Sequence, residues 1–140
     1  MSQPARTQRS RVLIVEDDHW MRQLTRDLLI DEGFEVLSAP EGQAGLDLAQ
    51  RARPTVILLD LSMPRLTGVE FLQRIRQSPT MRDIPVIVVS GETQLLAPTV
   101  RLQADAVLAK PLDVGELMTH VHRASALGRH GLRLSPAFVT

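Results

Sequence analysis

The chain has 140 residues, sixteen acidic and sixteen basic side chains that cancel, and no cysteine. That length suits a single domain with one sizeable core, the balanced charge gives no general attraction to nucleic acid or an anionic membrane, and the missing thiols exclude disulfides and thiolate chemistry. The first ten residues lead into no apolar signal segment and no run approaches a membrane span, so a cytoplasmic protein without membrane insertion is expected.

Apolar runs alternate with segments of helical period along the chain. Residues 11 to 16 read as a strand, and 19 to 32 as a helix carrying Met21, Leu24, Leu28 and Leu29 on one face until Gly33 stops it. Phe34 to Ser38 is a short strand, followed by a helix from Glu41 to Arg53 with Ala44, Leu48 and Ala49 inward. Val56 to Asp60 is the most apolar run and is predicted to be the central strand, buried on both faces. Thr67 and Glu70 have capping-box spacing and open a helix carrying Val69, Leu72 and Ile75. Pro85 starts a fourth strand ending at Ser90, and Pro98 restricts the next helix to a short or kinked one. Residues 105 to 109 form a fifth strand, and Asp113, with Glu116 three positions on, caps a last helix.

This alternation predicts a doubly wound α/β domain with helices on both faces of a five-stranded parallel sheet. Residues 1 to 10 are expected to be a flexible N-terminal segment, 11 to 127 the folded domain, and 128 to 140 a tail that frays. Ligands of such sheets sit at the carboxyl ends of the strands. The first, third, fourth and fifth strands end in, or are followed by, polar groups: Glu16, Asp17 and Asp18; Asp60; Ser90; and Lys110. The second ends in Ser38, Ala39 and Pro40 and has nothing to contribute, which places it at the edge in the order 2-1-3-4-5.

Lys110 is the only lysine; the other basic residues are all arginine. A lysine is a compact charge on a flexible stem, suited to reaching one oxygen of a crowded anion. Two carboxylates about 5 Å apart repel by roughly 3 kcal/mol at an effective dielectric near 20, so Glu16, Asp17 and Asp60 call for an offsetting cation. The oxygen donors point to Mg²⁺, with Mn²⁺ as the alternative, rather than zinc. A carboxylate such as Asp60 can also attack a phosphoryl group, whose oxygens the metal, Lys110 and Ser90 would then neutralise.

In this order and spacing, VLIVEDD, the LLDLSMPRLTG segment, VIVVSGE and ADAVLAKP make the chain resemble the receiver domain of two-component response regulators. The resemblance implies a flavodoxin-like fold, Asp60 as phosphoacceptor, and Mg²⁺ held by Glu16, Asp17, Asp60 and the backbone carbonyl of Ser62. It also implies Ser90 as the hydroxyl switch residue and Lys110 as the phosphate-pairing lysine, with Asp18 a helix cap more than a ligand. The implied partners are a histidine kinase or phosphotransfer protein and a downstream protein, with a homodimer compatible and nucleic acid not expected. A stand-alone receiver is expected, a signalling phosphoacceptor that assists its own phosphorylation and dephosphorylation rather than an enzyme.

The departures from the family pattern cluster in one region. Val107 stands where many members carry Tyr or Phe, Gln103 where glycine is common, and the interval from Ser90 to Lys110 is short and contains Pro98. The chemistry is therefore expected to be retained and the readout altered. The alternatives are a degenerate receiver acting as a constitutive protein-binding module and an aspartyl phosphatase of the dehalogenase type. The latter would need a second acid where Ser62 stands.

Overall fold

The computed structural model describes residues 10–63, 65–92 and 96–134. Its strands are β1 (Arg11–Val15), β2 (Glu35–Ala39), β3 (Val56–Asp60), β4 (Val86–Ser90) and β5 (Ala106–Ala109). The helices between and after them are α1 (His19–Asp31), α2 (Gly42–Ala52), α3 (Gly68–Gln77), α4 (Pro98–Gln103) and α5 (Val114–Leu134). All strand pairs are parallel and the order is β2-β1-β3-β4-β5. The central position of β3 explains its composition: all five of its residues are buried, because helices cover both faces.

Side chains alternate across the strands, so each strand supplies two cores. Leu13, Ile57, Leu59 and Val88 face the layer of α2, α3 and α4, where they meet Leu46, Phe71, Leu72, Ile75 and Val100. Val12, Ile14, Leu58 and Val89 face the other layer and meet Leu29 of α1 and Leu117, Val121 and Ala124 of α5. Full burial of one such aliphatic or aromatic side chain is worth about 1.5–3 kcal/mol.

The turn chemistry follows the sequence closely. Thr67 and Glu70 form the complete capping box of α3, and Asp113 Oδ1 accepts from Glu116 N–H at 2.9 Å. Pro98 occupies the first turn of α4, where its missing N–H costs nothing, and that helix has only six residues. The expected N-terminal segment falls outside the described residues apart from Ser10, whose carbonyl accepts from Glu35 N–H at 3.0 Å.

One expectation is refined and one corrected. Leu24 stands on the expected apolar face with Met21 and Leu28 but is 56% exposed, and Thr25 shares the buried positions of α1 with Leu29. Leu24 lines an open groove of about 170 Å³ between α1 and the start of α5, with Leu112, Val114 and Leu117 among the opposite residues. The chain from Gly128 does not fray immediately. It turns at Gly128 (φ 68°) and continues helically to Leu134, because Leu132 buries into the core and Arg129 Nε lies 3.2 Å from Asp105 Oδ1. The left-handed φ at the turn is open to glycine without the Cβ strain of other residues. Residues 135–140, the rest of the expected tail, lie outside the described residues.

Candidate functional site

Parallel strands ending at one edge bring their terminal residues together. Asp60 ends β3 with 3% exposure, Ser90 ends β4 with 5%, and Glu16, just past β1, has 6%. The ion pairs of the two acids run to one shared cation: Lys110 Nζ lies 3.3 Å from Asp60 Oδ1 and 3.9 Å from Glu16 Oε1. Asp60 Oδ1 also accepts from the Ser62 amide at 3.1 Å. The carboxylate oxygens of Glu16, Asp17 and Asp60 approach within 4.8 Å of one another, with Asp17 on the solvent side.

One ammonium does not offset this concentration of negative charge. Burial raises the Glu16 carboxyl from its ordinary 4.5 to about 7; the charge of Asp60 adds to the rise, while the hydrogen bond from Asp18 N–H and the charge of Lys110 oppose it. Two buried carboxylates and one exposed one, all hard oxygen donors with surplus negative charge, are a set that could hold a divalent metal.

Asp18 has the other role open to it in the sequence. Its Oδ1 accepts from Met21 N–H at 2.9 Å and caps α1, and Asp18 is not among the three clustered acids. Ser90 is tied into the edge by its backbone, which accepts from Lys110 N–H at 3.0 Å, and its Oγ accepts from Glu92 N–H at 3.1 Å. Pro64 of the LLDLSMPRLTG segment and residues 93–95 of the β4–α4 connection lie outside the described residues.

Some positions that shape the site were not singled out in the sequence. Gly68 is one: a Cβ there would stand 2.5 Å from Leu61 Cα and 2.7 Å from the Asp60 carbonyl oxygen, so only glycine lets α3 begin against the end of β3. Its position directly after the Thr67 cap was the available signal. Thr25, buried and lining one small cavity with Glu16 and Asp60, was hidden by its polarity inside a helical pattern. Val107, where an aromatic residue is common in the resembled family, is half-buried on β5 and packs against the α2–α4 layer.

With this geometry in view, comparison with known proteins is direct. The model of the response regulator receiver domain matches residues 12–122, and the chain belongs to that family. The transcriptional regulatory protein CseB of Streptomyces avermitilis is 34% identical over 131 residues, covering 92% of this chain and 54% of that protein. KdpE, the KDP operon transcriptional regulatory protein of Escherichia coli, is 36% identical over 127 residues, covering 89% of this chain and 54% of its own. The chain thus spans about half the length of these relatives. Sporulation initiation phosphotransferase F of Bacillus subtilis is 28% identical over 113 residues, covering 81% of this chain and 91% of its own. The solved structure of chemotaxis protein CheY4 of Vibrio cholerae superposes with a TM-score of 0.75 at 30% identity, covering 84% of this chain and 99% of that one.

Receiver domains are signalling phosphoacceptors of two-component systems, bind a divalent metal, and take phosphoryl groups from donors such as histidine kinases. The acidic cluster of Glu16, Asp17 and Asp60 fits that phosphorylation site. No helix among the described residues is long and apolar enough to cross a membrane.

Proposed function

We propose that this protein accepts a phosphoryl group on Asp60 from a phosphohistidine of a histidine kinase or phosphotransfer protein, and that the phosphorylated form changes its binding to a downstream protein. The observation that carries the reading is the burial of Asp60 at 3% exposure, within 3.3 Å of the only lysine and clustered with two further carboxylates. A carboxylate oxygen of Asp60 forms the new bond to phosphorus as the bond from phosphorus to the donor imidazole breaks, with that electron pair leaving on the imidazole nitrogen.

Each neighbouring group has a task in this transfer. The Ser62 amide holds one Asp60 oxygen and fixes the orientation of the carboxylate. Lys110, already beside Asp60, pairs with a phosphoryl oxygen as negative charge accumulates, and the Ser90 hydroxyl donates to another. Glu16, Asp17, Asp60 and the Ser62 carbonyl would hold Mg²⁺, which when bound supplies positive charge to the phosphoryl oxygens. Readout through an inward-turning aromatic at position 107 is closed to this chain, since Val107 has no ring. Phosphorylation would instead bias the β4–α4 connection and the short α4 through Ser90.

Intact mass after incubation with a small phosphodonor and Mg²⁺, beside an EDTA control and Asp60→Asn, tests the assignment. A metal-dependent gain of one phosphoryl group, lost in Asp60→Asn with the fold retained, is expected. Absence of both that adduct and a beryllofluoride complex would leave a constitutive protein-binding module as the better account. A phosphorylated Asp60→Asn protein would move the acceptor elsewhere.

A further inference from the structure

We infer that Arg22 is a positioning residue for the acidic turn, holding the Glu16 main chain so that Glu16 and Asp17 stay gathered with Asp60 for a divalent cation; this rests on the metal-assisted phosphoacceptor reading. The Glu16 amide is fixed by the sheet, donating to Ala39 O at 3.1 Å. Its carbonyl is fixed from the other side by Arg22 Nη1 at 2.8 Å. Arg22 reaches it because helical side chains lean towards the N-terminus, and its own amide is anchored by the Asp18 carbonyl at 2.9 Å.

The geometry uses the planar fork of the guanidinium. While Nη1 binds the Glu16 carbonyl, Nη2 lies 3.3 Å from His19 Nδ1, so the two arms connect the end of β1 to the first turn of α1 across the intervening acids. A lysine has the charge but cannot make this two-armed connection. The acids themselves repel one another, so a turn without this tether relaxes by moving them apart. Arg22 thereby supports the ligands from behind, as outer groups around metal sites generally do.

Charge and position predict opposite signs, which makes the inference testable. A cation near a metal site disfavours a second cation, so removing Arg22 would tighten Mg²⁺ binding if charge alone mattered. Loss of a tether weakens it. Mg²⁺ alone is titrated by calorimetry, and in parallel by the fluorescence of Trp20, the only tryptophan, into the wild type, Arg22→Ala and Arg22→Lys. Arg22→Ala is expected to weaken Mg²⁺ binding roughly tenfold, with Arg22→Lys intermediate. Unchanged or tighter binding in Arg22→Ala overturns the inference while leaving the phosphoacceptor reading intact. If Arg22→Ala does not fold, Arg22→Lys decides alone, since it keeps the charge and loses the fork: weaker binding supports the tether, and affinity equal to the wild type overturns it. A wild type that takes up no Mg²⁺ would instead overturn the metal-assisted reading itself.

Discussion

Charged side chains are buried at both ends of this sheet, and the two ends treat them oppositely. At the amino end of β4 and β5, Asp105 is held by Arg76 Nη2 at 2.7 Å, by Val86 N–H at 2.9 Å and by Arg129 Nε at 3.2 Å. Arg76 also donates to the carbonyls of Gln103, Arg82 and Ile84. Burial lowers the Arg76 guanidinium to about 10, opposed by the charge of Asp105, so it remains charged at neutral pH. At the carboxyl end, Glu16 and Asp60 are similarly deeply buried and share the single ammonium of Lys110. A buried charge paired with opposite charges ties a structure together; buried like charges with too few partners mark a place awaiting a ligand.

The comparison is most exposed to failure at Asp105. Removing one member of a buried, hydrogen-bonded ion pair leaves the other charge without compensation and costs about 3–5 kcal/mol. Asp105→Ala is therefore expected to lower the urea midpoint severely, since Arg76 and the Val86 amide lose an acceptor and Arg129 loses its counter-charge. A loss below about 1 kcal/mol would show that the amino end is no more dependent on its charges than the carboxyl end.

The sequence disclosed the two ends unequally. Each of the four strands that supply the carboxyl edge runs directly into its chemical group, so strand periodicity and the parallel-sheet rule were enough to gather Glu16, Asp17, Asp60, Ser90 and Lys110. The bounds of β3 and β4 were equally legible, because Asp60 and Ser90 end unbroken apolar runs. The amino-end network was not. Arg76 lies on α3, Asp105 in the turn between α4 and β5 and Arg129 in α5, and arginine and aspartate at such positions look like ordinary surface residues until packing brings them together. The helical continuation past Gly128 was concealed for the same reason: it is held by long-range contacts of Arg129 and Leu132 rather than by local propensity. Leu24 shows the converse, since helical periodicity identified an apolar face but not the groove that leaves part of it open.

A second prediction sharpens the contrast through pH. The Glu16 carboxyl is raised from 4.5 to about 7 in the folded protein, chiefly by burial. Between those values the folded state binds more protons than the unfolded state, so this group's contribution is fully present below about 4.5 and is lost as pH rises through 7. In metal-free buffer, Glu16→Gln is expected to be more stable than the wild type by an amount that grows over that interval, on the order of 1 kcal/mol at pH 8. Asp105→Ala is destabilising throughout this range. Urea midpoints measured from pH 4 to 8 give the difference directly, and a Glu16→Gln advantage that shrinks with rising pH would reverse the assignment.

The smallest stability change is expected at Lys110, where replacement with arginine keeps the charge. Lys110 is partly exposed, with its side chain 29% accessible, so the change should cost no more than about 1 kcal/mol. Its effect on signalling should be far larger. The ammonium presents donors from a compact tip that can move between Asp60 and an incoming phosphoryl oxygen, whereas the planar guanidinium needs more room and a different approach. Lys110→Arg is therefore expected to retain the wild-type melting transition while partner binding no longer responds normally to phosphorylation and the phosphoaspartate lifetime changes. Normal lifetime and partner binding in this variant would reduce Lys110 to a generic counter-charge like those around Asp105. Substituting a single cation would then have the same meaning at both ends of the sheet.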